Sequence, residues 1–352
     1  MAEATDIQRI APATLTAACE HLLQRVGVPA DQAALTAGVC VQADLRGVES
    51  HGVLRLPAYV HKVKAGLMAA DTQVEMVRDQ GAMALLDGQG GFGQVAATEG
   101  MRLALRKARE CGLAAVGVRN ANHFGIAACY AMMALDEGMI GIVVSNAAPS
   151  MAPWGGVEAI LGSNPLCVAI PTGTETPIVL DMATTLVARG KIRLAAEKGD
   201  SIPLTWALDA LGQPTADPRA ALAGTLLPIG GPKGYGLSLV HDVLAGVMTG
   251  SPFGSRIPSV HDLTRPSAVG FYLQAINIQA FQPLSDFYRQ IQQLIGEVRG
   301  AKRAVGVGKI YLPGEPELER VKDRMANGIP VPPALLNGLR ELAAELQVTL
   351  PF

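Results

Sequence analysis

An α/β fold with helical ends is predicted by three observations. Short apolar runs alternate with helix-like ones from about residue 74 to 182. Both chain ends show amphipathic helical spacing instead. The 352 residues are 49% hydrophobic and 17% charged, a balance that builds real cores and rules out a disordered chain. At ~100–200 residues per domain, that length allows two or three domains.

Residues 11–45 read as two helices. In "TLTAACEHLLQRVG", Leu15, Cys19, Leu22 and Val26 fall at helical spacing and Gly27 ends the run. "PADQAALTAGVCVQADLRG" carries Leu35, Val39 and Leu45 to a stop at Gly47. Further on, "AMALLDG", "LAAVGV", "MIGIVVSN", "PLCVAIPT" and "PIVLDMA" are five strand candidates, with "AACYAMMALDEG" a helix between two of them. Residues 196–232, rich in Gly, Pro, Asp and Thr, read as a long loop. A helix "GYGLSLVHDVLAGVMTG", a strand "VGFYLQAIN" and a helix "LSDFYRQIQQLIGEVRG" follow, and "VPPALLNGLRELAAELQ" closes the chain as an amphipathic helix.

The formal charge of -2, with no block of Lys or Arg, argues against nucleic acid or a membrane surface as the main partner. The polar, acidic start "MAEATDIQRI" does not look like a signal peptide, and no apolar run approaches the ~18 residues of a membrane span. Cys19, Cys40, Cys111, Cys129 and Cys167 are scattered and never spaced C-x-x-C, and read as buried thiols in a reducing cytoplasm. The histidines form no H-E-x-x-H pattern and no Cys/His cluster, so no metal is expected.

Five stretches carry candidate chemistry. Gly91-Phe92-Gly93-Gln94-Val95-Ala96 fits the G-x-G-x-x-A turn of dinucleotide-binding folds, between a strand and a helix. The acidic residue that pattern needs ~20 residues on is missing, and Arg119 stands near that place instead. Steric needs alone also put glycines in such turns. In "ESHGVLR", His51 offers a near-neutral proton donor, and Arg55, four residues on, offers a bidentate carboxylate clamp. In a helix the two would share a face, although a surface His and a salt-bridged Arg give the same pattern. "NANHFGIAACY" places Asn120, Asn122 and His123 between a strand and a helix, where an anion site and a simple capping loop are both possible. "GGPKGYGLSLVHD" sets Lys233 among glycines before a helix, suited to a pyrophosphate or to no ligand at all. Its His241 and Asp242 point to different helix faces and read as structural. Asp181 ends the apolar run "PIVLDMA", where it can orient His51, bind a ribose or cap a helix. Glu315 in "LPGEPE" has a merely solvated residue as its alternative.

Taken in order, "DLRGVESHGVLRLPAYV", "NANHFGIAACYA", "GSNPLCVAIPTG", "VLDMATTLVARGKI", "GGPKGYGLSLVHDVLAG" and "LPGEPE" resemble the type-two malate/L-lactate dehydrogenase family, over about residues 10–345. That family includes sulfolactate and ureidoglycolate dehydrogenases, diketogulonate reductase and piperideine-2-carboxylate reductase. The resemblance implies a non-Rossmann nucleotide domain of mixed sheet flanked by helices, here residues 76–316. A helical domain built from both chain ends, residues 1–75 with 317–352, would pack beside it. It also implies that the glycine pattern at 91–96 is a decoy.

By the same resemblance, Ser50 and His51 form the catalytic pair, with His51 the general acid for reduction. Arg55 holds the substrate carboxylate, and His123 is a second candidate for proton transfer. NAD or NADP would be cradled by His123, Phe124 and Gly125, by Ser145, by Asp181, Met182 and Ala183, by Pro232 and Lys233, and by Pro313, Gly314 and Glu315. Arg119, Arg189, Lys191 and Arg303 are candidates for a 2′-phosphate partner. The implied reaction moves hydride between nicotinamide and C2 of a small 2-hydroxy or 2-oxo acid, in a homodimer with its active site near the subunit interface. A cyclic 2-imino acid reductase is the alternative chemistry, and a non-catalytic binding protein on the same fold the alternative class. Two departures bear on the substrate. Thr205 replaces the glycine that relatives often place before Trp206. Asn146 follows Ser145 where the ureidoglycolate enzyme carries a Lys, which argues against ureidoglycolate.

Overall fold

A computed structural model describes residues 7–352. Its centre is a seven-stranded mixed sheet. The strand order is Glu75–Gln80, Met83–Asp87, Leu113–Ala121, Val269–Asn277, Met139–Ser145, Leu166–Ile170, Ile178–Met182. Only Met83–Asp87 and Leu113–Ala121 run parallel, and the helix Gly93–Cys111 crosses between them. Every other neighbouring pair is antiparallel. The five strands expected from apolar runs are present, and "VGFYLQAIN" is the strand inserted at the centre of the sheet. Its residues 271–276 pair on both sides, with Phe271 opposite Val118 and Ser145.

The crossover helix covers one face of the sheet because Ala97, Met101, Ala104 and Ala108 recur at helical spacing and are all buried. They pack on Val116, Val118 and Leu273. Gly112, at φ +77, ends the helix in the left-handed conformation. A second core joins the chain ends. Gln8–Ile10 pairs antiparallel with Ile329–Val331. Leu15, Leu22, Val41, Tyr59 and Val60 pack there with Leu336, Leu339 and Leu342 of the last helix, Pro333–Glu345. The expected loop at 196–232 holds more structure than its composition implied. It contains the helix Pro218–Ala223, started by Asp217, whose side chain accepts the Arg219 N–H, and two short paired strands at Ala207–Leu208 and Thr225–Leu226. Local caps and a small core around Ile192 and Ala207 supply that order. "AACYAMMALDEG" forms one α-helical turn at Ala128–Ala131 and continues as a 3-10 segment, Met132–Glu137.

The glycine turn at 91–93 is filled by the protein itself. A Cβ at Gly91 would lie 2.4 Å from Thr72 Cγ2, and one at Gly93 would lie 2.0 Å from the Asn122 carbonyl oxygen. Asn122 Nδ2 donates to the carbonyls of Gly90 and Gly91 at 2.8 and 3.0 Å, and the Phe92 N–H donates to Thr72 Oγ1. These glycines let the chain before His123 pass close and be stitched in place. Gly93→Ala should therefore destabilise the protein by ~1–3 kcal/mol through overpacking, read as a lowered thermal midpoint. Loss of dinucleotide affinity with an unchanged midpoint would instead make the turn a cofactor loop.

Candidate active site

Ser50, His51 and Arg55 lie on the stretch that leaves the helix Ala30–Leu45 and enters the helix Leu56–Lys64. His51 and Arg55 do not share one continuous helix. Two 3-10 turns, Glu49–His51 and Val53–Arg55, meet at Gly52, whose ψ of -147° breaks the helical path. His51 and Arg55 still converge, because the Arg55 Nε–H donates to the Ser50 carbonyl at 2.7 Å. Ser50 Oγ lies 2.9 Å from His51 Nδ1, so Ser50, rather than Asp181, orients this ring.

His123 arrives from the far end of the strand Leu113–Ala121 and stacks on His51, with ring centroids 5.3 Å apart. Its Nδ1 accepts the Gly125 N–H at 3.3 Å and lies 2.7 Å from the Tyr59 hydroxyl. A backbone N–H can only donate, so the neutral His123 ring carries its proton on Nε2. Burial holds the Tyr59 phenol well above its ordinary pKa, so that hydroxyl stays protonated and donates. On the outer side, Arg55 Nη1 lies 3.1 Å from His261 Nε2. Lys62, buried, donates to Ser267 Oγ at 2.7 Å and ties down the segment that carries His261. The helix Arg189–Lys198 closes another side, where a Cβ on Gly190 would meet Ser50 Cβ at 3.8 Å.

Both rings are held neutral. Burial, then the Arg55 charge, lowers His51 to about 4. Burial, with His51 and Arg55 next, pushes His123 well below the usual histidine range. Burial also lowers Arg55, and Arg193 adds to this by repulsion.

The other sequence-derived residues fall on neighbouring elements. Asp181 Oδ2 accepts the Ala128 N–H at 3.2 Å, next to the His123–Gly125 turn, and burial raises its carboxyl to about 6. Ser145 is buried, and its hydroxyl donates to the Asn146 carbonyl. Asn146 is occupied by Asp242, by the Pro252 carbonyl and by the Gly270 N–H. His241 is bonded through Nδ1 to the Asn164 carbonyl, which bears out its structural reading. Lys233 is exposed in the first turn of the helix Pro232–Asp242, after Gly230 and Gly231 at φ +59 and +62. The Pro313 carbonyl accepts the Val179 N–H, which sets Pro313–Glu315 beside the strand that carries Asp181 and Met182. Glu315 is buried rather than solvated. Its carboxylate takes the Leu312 N–H and pairs with Arg299 and Lys309.

Arg119, one of the 2′-phosphate candidates, donates through Nε to Asp87 at 2.8 Å. Arg189 donates to the Leu222 carbonyl and Arg303 to the Gly308 carbonyl. Sequence reasoning missed Tyr59, four residues after Arg55 on the next helical turn, where the same spacing argument would have found it. It also missed His261, which no local pattern marks.

The family model described as malate/L-lactate dehydrogenase matches residues 10–340. The chain belongs to the malate/L-lactate dehydrogenase family. It is an oxidoreductase of 2-hydroxy acids. It is 39% identical to a malate dehydrogenase of Pyrococcus abyssi over 336 residues, covering 93% of this chain and 92% of that one. It is 40% identical to an L-sulfolactate dehydrogenase of Methanocaldococcus jannaschii over 329 residues, covering 94% of each. The solved structure of a sulfolactate dehydrogenase from that organism superposes with a TM-score of 0.92 at 38% identity, over 97% of this chain and 98% of the other. A ureidoglycolate dehydrogenase of Escherichia coli K12 is 35% identical over 324 residues, 92% of each chain. The family's mixed α/β architecture is thus the one expected from sequence.

The neutral rings have a consequence for stability. Between pH 6.5 and about 4, an unfolded chain protonates His51 while the folded protein does not. This contribution is therefore intact above pH 6.5 and is lost as pH falls through that window. Asp44, raised to about 7, acts in the opposite sense across all of that window, and Asp181, raised to about 6, across most of it. The comparison that isolates the ring is parent against His51→Gln. Denaturant unfolding should show the parent losing more stability than the variant as pH falls from 6.5 to 4. Parallel curves would place His51 in contact with water.

Proposed function

We propose that this chain interconverts a small 2-hydroxy acid and its 2-oxo acid with a nicotinamide dinucleotide, NAD or NADP. His51 is the proton-transferring group and Arg55 the carboxylate clamp. The observation that carries this reading is the stacked, neutral pair His51–His123 beside a guanidinium whose Nη2 has no protein partner among the described residues.

A carboxylate at Nη2 forms a charge-assisted hydrogen bond, with Nε engaged by Ser50 and Nη1 by His261. The same anion lies beside rings whose basicity burial and Arg55 have lowered, and an opposite charge nearby favours the protonated ring. Substrate binding thus allows His51 to take up the proton that it delivers to the carbonyl oxygen in reduction and recovers in oxidation. Ser50 holds the His51 ring in register. His123, fixed by Tyr59 and the Gly125 N–H, presents its Nε2–H as a neutral donor. The bound dinucleotide supplies or accepts the hydride at C2.

The fit of a dinucleotide rests on groups of this chain left open. Asp181 has one carboxylate oxygen outside its bond to Ala128, suited to ribose hydroxyls. Lys233 and the uncapped start of an 11-residue helix suit a pyrophosphate. Ser145, Phe124, Met182, Ala183, Pro232, Pro313 and Gly314 complete the proposed cradle. Glu315 serves it through its backbone, its side chain being engaged. We also propose a homodimer. Val240, Val243 and Val247 leave an apolar stripe exposed along the Lys233 helix and its continuation, and a second copy would cover it. The five cysteines are free thiols and suit the reducing cytoplasm; Cys19, Cys40 and Cys167 are buried as expected, whereas Cys111, at the end of the crossover helix, is exposed.

The test is loss of NADH and NADPH absorbance with pyruvate, oxaloacetate, sulfopyruvate and piperideine-2-carboxylate. At least one 2-oxo acid should turn over. His51→Ala should lower kcat ~10²–10⁴-fold while keeping dinucleotide affinity, and Arg55→Ala should raise KM. Turnover of the cyclic imine alone would replace the substrate class. Dinucleotide binding without any turnover would make the chain a binding protein.

A further inference from the structure

The turn that carries His51 and Arg55 sits on a carboxyl that the chemistry above does not use. Asp44, in the last turn of the helix Ala30–Leu45, is 2% exposed. Its Oδ2 accepts the Val53 N–H at 2.9 Å, while its Oδ1 is buried with no hydrogen-bond partner. The carboxyl faces Gly52, where a Cβ would lie 1.9 Å from Oδ1, 2.3 Å from Cγ and 2.6 Å from Oδ2. Gly52 has φ -85, open to any residue, so the space taken by Asp44 is what requires glycine there.

Gly52 is also where the two 3-10 turns meet, one ending at His51 and the other at Arg55. From the far side Arg324 donates to the Asp44 carbonyl and pairs with Glu49 at 2.7 Å. The ionisable groups around the carboxyl are Glu49, Arg324 and the buried thiols of Cys19 and Cys40. Burial raises the carboxyl to about 7, so much of it is uncharged near neutrality, the state in which a buried oxygen without a partner is least unfavourable.

We propose that Asp44 is a positioning residue. By occupying the place of a side chain at Gly52 and binding the Val53 N–H, it sets the angle between the Ser50–His51 turn and the Arg55 turn. This rests on the oxidoreductase reading above. A shift of about 1 Å at either group is enough to lower turnover ~100-fold without touching the dinucleotide.

The experiment is a cycle of Asp44→Ala, Gly52→Ala and the double variant, with Asp44→Asn as the conservative replacement. Turnover is expressed per dinucleotide site, counted by NADH or NADPH fluorescence titration. Asp44→Ala and Gly52→Ala should each lower kcat ~10–100-fold, with dinucleotide affinity within about twofold. Asp44→Asn keeps the shape and the acceptor for Val53, and should stay within about threefold of the parent. The double variant should lose less than the product of the singles, because the new methyl enters the space that the carboxyl vacates. If Asp44→Ala does not fold, Asp44→Glu serves, since its added methylene pushes the carboxyl into Gly52 and should lower kcat to a similar degree. Unchanged kcat per site in Asp44→Ala or Asp44→Glu, or losses that simply multiply, would overturn the positioning role. A parent inactive with every acid overturns the oxidoreductase reading itself, and Asp44 then has no reaction to position.

Discussion

Two imidazoles stacked in a partly buried pocket beside a guanidinium are the constraint on which the site depends. Neither ring can hold a proton cheaply there, because burial disfavours the charge and Arg55 repels it. An anion at Arg55 offsets the repulsion, though not the burial. On the proposed reading, proton readiness is coupled to the docking of an acid, with the clamp and the proton-transferring group on one short segment.

The fold delivers this arrangement from distant parts of the chain. Residues 49–55 come from the helical end, His123 from the central sheet and His261 from a late segment tied down by Lys62 and Ser267. The glycine turn at 90–93 contributes by letting Asn122 lock against it, which fixes the chain just before His123. Its resemblance to a dinucleotide fingerprint arises from the same steric cause: backbone has to pass close to backbone between a strand and a helix. The missing acidic residue at the end of the next strand weakened the fingerprint in the sequence, and the family resemblance made it a decoy; Arg119, near that place, is bonded to Asp87.

Much of this was legible in the residues. Alternation of apolar runs marked all five central strands, and helical spacing marked both chain ends. The motif "ESHGVLR" marked His51 and Arg55 as candidates, and the family resemblance rather than the motif alone gave them their proposed roles. What was not legible depends on contacts that no local pattern marks. Gly52, at the break between the two 3-10 turns, faces a carboxyl eight residues earlier, Arg55 meets His261 some two hundred residues later, and Glu315 is buried against Arg299 and Lys309. The short strands and helix within 201–226 were hidden because Gly, Pro and Asp build caps and tight pairs as readily as loops.

The most direct test of the central claim is the ionisation of the His51 ring, followed by NMR with and without a non-reactive analogue of a 2-oxo acid. The account predicts a ring that titrates near pH 4 in the free protein and moves clearly upward once a carboxylate sits on Arg55. A ring that titrates near 6.5 when free, or does not respond to the bound acid, would contradict it.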